Sequence, residues 1–214
     1  MVSLIPEQIE SYCEAHTTAE SELLYRLNRE TNLKILRPRM LSGQLQGRFL
    51  SMISKMIKPL TILEIGTYTG YAALCLAEGL QENGELHTIE INEELEDIIT
   101  KFFNQSVLKE KLHLHIGNAL EIIPHLNKMW DLVFLDAEKT EYIQYYKMIF
   151  PYVKKGGFIL TDNVLWNGKV TEEVANSDVE TKAILTFNDF IQNDPHVENI
   201  LLPVRDGLMM IEKL

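Results

Sequence analysis

The 214-residue chain has little of what commits a protein to a membrane, a disulfide scaffold or a phosphate backbone. No apolar run approaches the roughly 18 residues that a membrane span needs. The opening Met-Val-Ser-Leu-Ile-Pro-Glu also lacks the basic-then-apolar order of a signal peptide. The only two cysteines, Cys13 and Cys75, lie far apart without metal-ligand spacing, which argues against disulfides and suits a reducing, cytoplasmic setting. The six histidines show no metal-ligand spacing either, and His113 and His115, on one face of a strand, read as structural. Basic residues are outnumbered 20 to 31, and the net charge of −11 argues against general nucleic-acid affinity. Repeats, low-complexity tracts and interdomain linkers are not apparent.

The charge that is present is unevenly placed. From Arg26 to Lys58, eight basic residues face the single acidic Glu30, a local charge of +7 that leaves −18 for the rest. This segment reads either as solvated helix faces or as a basic rim for a polyanion. With 46% hydrophobic residues, the length suits one domain over 1–214, with a helical N-terminal extension over 1–58 and an α/β core over 59–214. Helices are predicted from Pro6 to about His16, after a Thr17-x-x-Glu20 capping box (carrying Leu23, Leu24 and Leu27), and from about Ser42 to Ile57 with Leu45, Phe49, Met52, Ile53 and Met56 inward. Beyond Thr61, short apolar runs alternate with amphipathic stretches, the pattern of a parallel sheet covered on both faces. Strands are predicted near 61–65, 85–90, 111–116, 130–135 and 156–161, and helices near 70–82, 93–106, 118–125, 138–150 and 178–193. A closing hairpin pairs 196–204 with 208–213 through Arg205-Asp206-Gly207.

The organising stretch is Ile62 to Ala72, in which a buried strand ends in Glu64-Ile-Gly66 and turns through Gly70 into a helix. It lacks the third glycine of G-x-G-x-x-G, and Glu64 is ill suited to a pyrophosphate, so a dehydrogenase is disfavoured and a cationic nucleoside fits better. Gly66 is expected to let the backbone approach a ligand, and Gly70 to let the next helix pack on the strand. Ligands of an open parallel sheet bind at the carboxyl ends of its strands. Strand two ends there in Glu90, placed to accept bonds from ribose hydroxyls, and strand three leads to Asn118 and Ala119, a place for an adenine ring. Strand four ends in Asp136 with Lys139 three residues on, and strand five in Asp162-Asn163. Two carboxylates and an amide oxygen suit Mg²⁺; singly, each Asp also reads as a helix cap. Near a divalent cation and partly desolvated, Lys139 reads as a general base of lowered proton affinity, or otherwise as a paired surface lysine, and Trp166 as the wall of a flat acceptor's site or as core filling.

These residues together make the chain resemble the cation-dependent O-methyltransferases, the group of catechol and caffeoyl-CoA O-methyltransferases. The carriers are Met40-Leu-Ser-Gly43, Glu64 to Tyr71, Glu90, Asp136-Ala-Glu-Lys139 and Asp162-Asn-Val-Leu-Trp-x-Gly168. The resemblance implies a Rossmann-like class I methyltransferase fold, with a seven-stranded, mostly parallel sheet whose last strand is antiparallel. It also implies S-adenosylmethionine as donor and a divalent cation holding the acceptor hydroxyl. Carried over, Glu90 would hold the ribose; Glu64, Gly66 and Tyr68, with Ala72 where a serine is often found, would line the methionine end; Met40 and Ser42 would close over the cofactor. Asn118, where an acidic residue is common, and Ala119 would meet adenine. Asp136, Asp162 and Asn163 would bind the metal, Asp136 also lying near the cofactor's amino group, and Lys139 would take the acceptor proton.

The leading expectation is therefore O-methylation of a catechol-like or hydroxycinnamoyl-type small molecule by a homodimer joined through apolar N-terminal helices. Relatives in the same group also methylate a hydroxylated wobble uridine in tRNA, which would give the basic segment an RNA-contacting role. A non-catalytic nucleoside-binding module would leave the cation and base residues without a purpose.

Overall fold

A computed structural model of the chain describes residues 6–214, so the N-terminal reading lies, up to Ile5, outside the described residues. Seven strands form one sheet: β1 (Thr61–Ile65), β2 (Glu85–Glu90), β3 (Leu112–Ile116), β4 (Trp130–Leu135), β5 (Val153–Asp162), β6 (Val197–Leu202) and β7 (Leu208–Lys213), in the order β3-β2-β1-β4-β5-β7-β6. Neighbours are parallel except around β7, which runs against both β5 and β6. The order reverses between β1 and β4, which opens a crevice at their carboxyl ends.

Both faces of the sheet are covered, and this is why its strands read as apolar runs rather than alternations. Ile62, Leu86, Leu132 and Phe134 face one layer, made by α2 (Glu22–Lys34), α3 (Gly43–Ile57), α4 (Tyr71–Ala77) and α5 (Glu96–Gln105). Leu63, Ile65, Ile89 and Val133 face the other, made by α6 (Ala119–Leu126), α7 (Tyr142–Ile149) and α8 (Val179–Gln192). Each fully buried Leu or Ile contributes roughly 1.5–3 kcal/mol, so the two layers supply most of the cohesion. The remaining helix, α1 (Glu7–Ala15), has no buried residue. Among the described residues no helix is long and apolar enough to cross a membrane.

Two predictions in the N-terminal layer are corrected. Thr17 and Glu20 form no capping box: Ser21 caps α2 by accepting from Leu24 N–H, the Thr17 hydroxyl donates to the Cys13 carbonyl, and Glu20 accepts from Asn28 and the Tyr71 hydroxyl. In α3 the inward face is Gln46, Gly47, Leu50, Ser51 and Ser54, whereas Met52 and Met56 are exposed and Leu45, Phe49 and Ile53 half-buried. The cause is close approach: a Cβ on Gly47 would stand 2.5 Å from the Tyr71 ring, and one on Gly79 would stand 2.2 Å from the Ser54 backbone. Small side chains at Gly47, Ser51 and Ser54 let α3 approach the segment after β1, while Leu50 reaches the core and Met52 and Met56 are left exposed. α4 ends at Ala77, short of the predicted 82.

The turn after β1 is built on one contact. Gly66 has φ +96°, and a Cβ there would lie 1.9 Å from the Asp136 carbonyl oxygen, while Asp136 N–H donates to Ile65 O at 2.9 Å. Gly66 thus serves the junction of β1 and β4 and not only a ligand's approach, and Gly70, at φ +89°, avoids Phe103 of α5. Gly66→Ala is expected to cost roughly 3 kcal/mol through combined clash and backbone strain; a chemical-denaturation midpoint within experimental error of wild type would show that the turn relaxes freely.

Candidate active site

The crevice holds a cleft lined by Met40, Leu41, Ser42, Gly66, Thr67, Tyr68, Tyr71, Ala72, Phe134 and Asp136. Six of these residues, Met40, Ser42, Gly66, Tyr68, Ala72 and Asp136, come from the sequence-predicted set. Tyr68, itself at φ +51°, links the layers: its N–H donates to Glu90 Oε2 at 2.7 Å, and its hydroxyl reaches the carbonyls of Leu36 and Arg37. Glu90 also accepts from Asn92 N–H at 2.9 Å, so both its oxygens are oriented, and each keeps a lone pair for a further donor. Burial nevertheless raises its pKa. Gly117 N–H donates to the Glu90 carbonyl, which places Asn118 and Ala119 beside Glu90; there Asn118 caps α6 through Leu120 N–H.

Glu64 lies beneath the cleft and not on its wall. It is wholly buried; Oε2 accepts from the Thr88 hydroxyl, which also meets that of Thr67, and Oε1 has no hydrogen-bond partner. Burial first, then the charges of Asp136 and Glu90, push its pKa up to about 8 against the Thr88 bond. An orphaned carboxylate oxygen under a turn of left-handed residues fits a ligand that brings positive charge.

Asp136 and Asp162 follow the paired residues Leu135 and Thr161, so both carboxylates leave adjacent strands at one level. Asp162 is buried and accepts from Gln46 Nε2 at 2.7 Å and Asn163 N–H at 2.8 Å. Its pKa is pushed up to about 6 by burial and by Asp136, against Gln46 and Lys139. Asn163 sits at φ +60° directly beyond. Two carboxylates that repel each other fit a hard divalent cation, and Asn163, next in the chain after Asp162, carries a further oxygen donor.

Lys139 is buried, donates to Asp136 Oδ1 at 2.8 Å, and lies 5.1 Å from the Tyr142 ring centroid and 5.9 Å from that of Trp166. Trp166 therefore belongs to this site and does not merely fill the core. Burial lowers the proton affinity of Lys139, but Asp136 and Tyr142 outweigh it and the pKa rises; the lowered affinity expected of Lys139 is one that holds beside a divalent cation. With Asp136 as partner, the amine holds its proton.

The support of this cluster was not visible in the sequence. Arg205 donates through Nη1 to the carbonyls of Leu41 and Ser42 and to Gln46 Oε1, and Gln46 in turn holds Asp162. Asp206, also buried, accepts from Asn167 N–H, while Gly207 O and Asp206 O accept from Val164 and Leu165 N–H. The hairpin turn thus pins a loop in which Asn163, Trp166, Asn167 and Gly168 all have positive φ. Gln46 carries no signal beyond a polar residue on an amphipathic helix, and Arg205 read only as part of a turn.

The family model described as O-methyltransferase matches residues 14–214. Caffeoyl-CoA O-methyltransferase 5 of Nicotiana tabacum is 33% identical over 183 residues, covering 79% of this chain and 75% of that protein. Among solved structures, the SAH-bound methyltransferase PaMTH1 of Podospora anserina superposes with TM-score 0.88 at 27% identity over 100% of both chains. The O-methyltransferase from Bacillus cereus in complex with SAH gives 0.89 at 25% identity over 97% of both.

Glu64 generates a pH dependence. Its proton is bound more tightly in the fold, at about 8, than at the ordinary 4.5 of the unfolded chain, so the stability it contributes is complete below about pH 4.5 and is lost as pH rises through 8. The slope is at most about 1.4 kcal/mol per pH unit. Glu64→Gln, which keeps an acceptor for Thr88, is expected to flatten the fall of Tm of the ligand-free protein between pH 5 and 8. Parallel Tm profiles for the two proteins would contradict the assignment.

Proposed function

The chain belongs to the O-methyltransferase family, and on that premise we propose that it moves the methyl group of S-adenosylmethionine to a hydroxyl of a catechol-like or hydroxycinnamoyl-type small molecule, with a divalent cation held by Asp136, Asp162 and Asn163. The observation that carries this reading is the convergence of two repelling carboxylates and the buried Lys139 at one edge of a cleft walled by Met40, Ser42, Tyr68 and Ala72. Glu90 would hold the ribose of the donor, Asn118 and Ala119 its adenine, and Gly66 and Asp136 its methionine end, with Glu64 buried beneath them rather than in contact. Trp166 walls the acceptor.

The donor supplies a methyl already activated on sulfur, and the cation supplies charge that favours the ionised acceptor hydroxyl. The protein's own task is alignment and proton removal, so most of the rate comes from holding two reactants in line. Burial disfavours the Lys139 ammonium and Asp136 favours it. A partner that draws the charge of Asp136 away from Nζ shifts the balance toward the neutral amine, which, once its own proton has passed to solvent, takes that of the acceptor. Gln46 and Asn163 N–H meanwhile keep the Asp162 carboxylate aimed.

A small acceptor is preferred to tRNA because half of the basic segment is already paired: Arg26 with Glu22, Lys34 with Glu30, and Arg48 and Lys55 with Glu78. Homodimerisation through the N-terminal helices belongs to the same reading, supported by the exposed Leu33, Leu36, Met52 and Met56. A reducing cytoplasmic setting is supported by the unpaired Cys13 and Cys75.

The test is transfer from labelled S-adenosylmethionine to catechol, caffeoyl-CoA and undermodified tRNA, each with Mg²⁺ and with EDTA. Labelling of a small acceptor, abolished by EDTA, is expected; labelling of tRNA alone would move the function to RNA modification. Lys139→Ala is expected to lose about 10²–10⁴-fold in turnover while binding the donor normally, and unchanged turnover would remove it from the chemistry.

A further inference from the structure

A second cluster of ligand-bearing side chains lies at the other end of the sheet. On the parallel strands β2 and β3, His87 stands in register with His113, and Glu85, two residues before His87, points from the same face. Glu85 Oε2 lies 3.4 Å from His87 Nε2 and 3.7 Å from His113 Nε2, and the three donor atoms all lie within 4.8 Å of one another. The histidine spacing within β3 had suggested only a structural role. The missing partner comes from the neighbouring strand, which spacing along the chain does not show.

We propose that Glu85, His87 and His113 form a binding site for a Zn²⁺-class divalent ion, separate from the carboxylate cluster at the cleft. Four observations carry it. Zinc bonds of about 2.0–2.1 Å set tetrahedral donors about 3.3 Å apart, close to the two spacings from Glu85. His87 is only 8% exposed, yet its Nε2 has no hydrogen-bond partner, so a buried nitrogen faces a carboxylate and a second imidazole without satisfaction. The other atoms of these ligands are already oriented: His87 Nδ1 meets His115 Nε2 at 2.9 Å, Lys128 pairs with Glu85 Oε1, and the Trp130 ring packs edge-on against His87. Such outer partners set the tautomer and aim of a metal-binding imidazole. Finally, two imidazoles and one carboxylate select zinc-like ions over Mg²⁺, which takes oxygen donors.

The His113 side chain is 41% exposed, which leaves the site open to ions from solvent and its fourth position to water. Glu85 and Glu90 are at opposite ends of β2, roughly 16 Å apart at the usual rise per residue. The ion would therefore not touch the reacting atoms; it would clamp the edge strand β3 to β2.

Metal-stripped full-length protein titrated with Zn²⁺ against a chromogenic chelator, and with Co²⁺ followed by visible absorption, tests this. Asp162→Asn, which removes a ligand of the cleft site, is expected to keep the Zn²⁺ equivalent bound at the Glu85 cluster of wild type, with its rise in Tm and the absorption of four-coordinate Co²⁺. His113→Ala and Glu85→Gln, whose folding is checked by circular dichroism, are expected to bind at least about ten-fold more weakly and to lose the Tm rise. Absence of Zn²⁺ binding by wild type at micromolar concentrations, or equal affinity in both cluster variants, would overturn the proposal. So would loss of the whole signal in Asp162→Asn, which would place the ion at the cleft.

Discussion

The contact between the turn after β1 and the backbone of Asp136 is the constraint on which the rest of the molecule depends. β1 and β4 are neighbours whose onward chains leave in opposite directions, and the crevice between them exists only if the two carboxyl ends can touch. Without a side chain at Gly66 they do, with Asp136 N–H on Ile65 O. That single approach sets Asp136 at the height of the cleft, from which Lys139 and Asp162 take their positions.

What assembles there is electrostatically costly. Asp136 stands close enough to raise the proton affinity of both Glu64 and Asp162, and Lys139 is the one buried cation among them. A folded chain normally avoids burying like charges, because desolvation and repulsion act in the same direction. The loop beyond Asp162 adds backbone strain at Asn163, Trp166 and Asn167, opposed by the bonds from Asp206 and Gly207. Stability is given up where positive ligands are received, and the hairpin supplies the restraint that keeps the arrangement from relaxing.

Much of this was legible in the sequence because strand ends and their residues are local. β1, β2, β4 and β7 lie where the apolar runs placed them, and Asp136, Lys139, Asp162, Asn163 and Trp166 do share one edge. The illegible parts are those set by distance in space. The inward face of α3 could not be read from its apolar stripe, since close helix approach favours Gly47, Ser51 and Ser54 over Met52 and Met56. Gln46 and Arg205 are 159 residues apart and meet only because the last hairpin folds back on the first layer. The proton on Lys139 depends on a partner whose proximity spacing suggests but whose strength burial decides.

The segment from Leu36 to Ser42 has a consequence for how the chain divides. It is held by the Tyr68 hydroxyl on one side and by Arg205 on the other, through its carbonyl oxygens and not its side chains. Its path is therefore anchored independently of the side chains that Met40, Leu41 and Ser42 turn to the cleft, and truncation would remove both. Trimming the protein to residues 59–214 would keep every strand and lose a wall of the cleft together with the Gln46 support of Asp162. The smallest working unit is larger than the smallest α/β sheet that could fold.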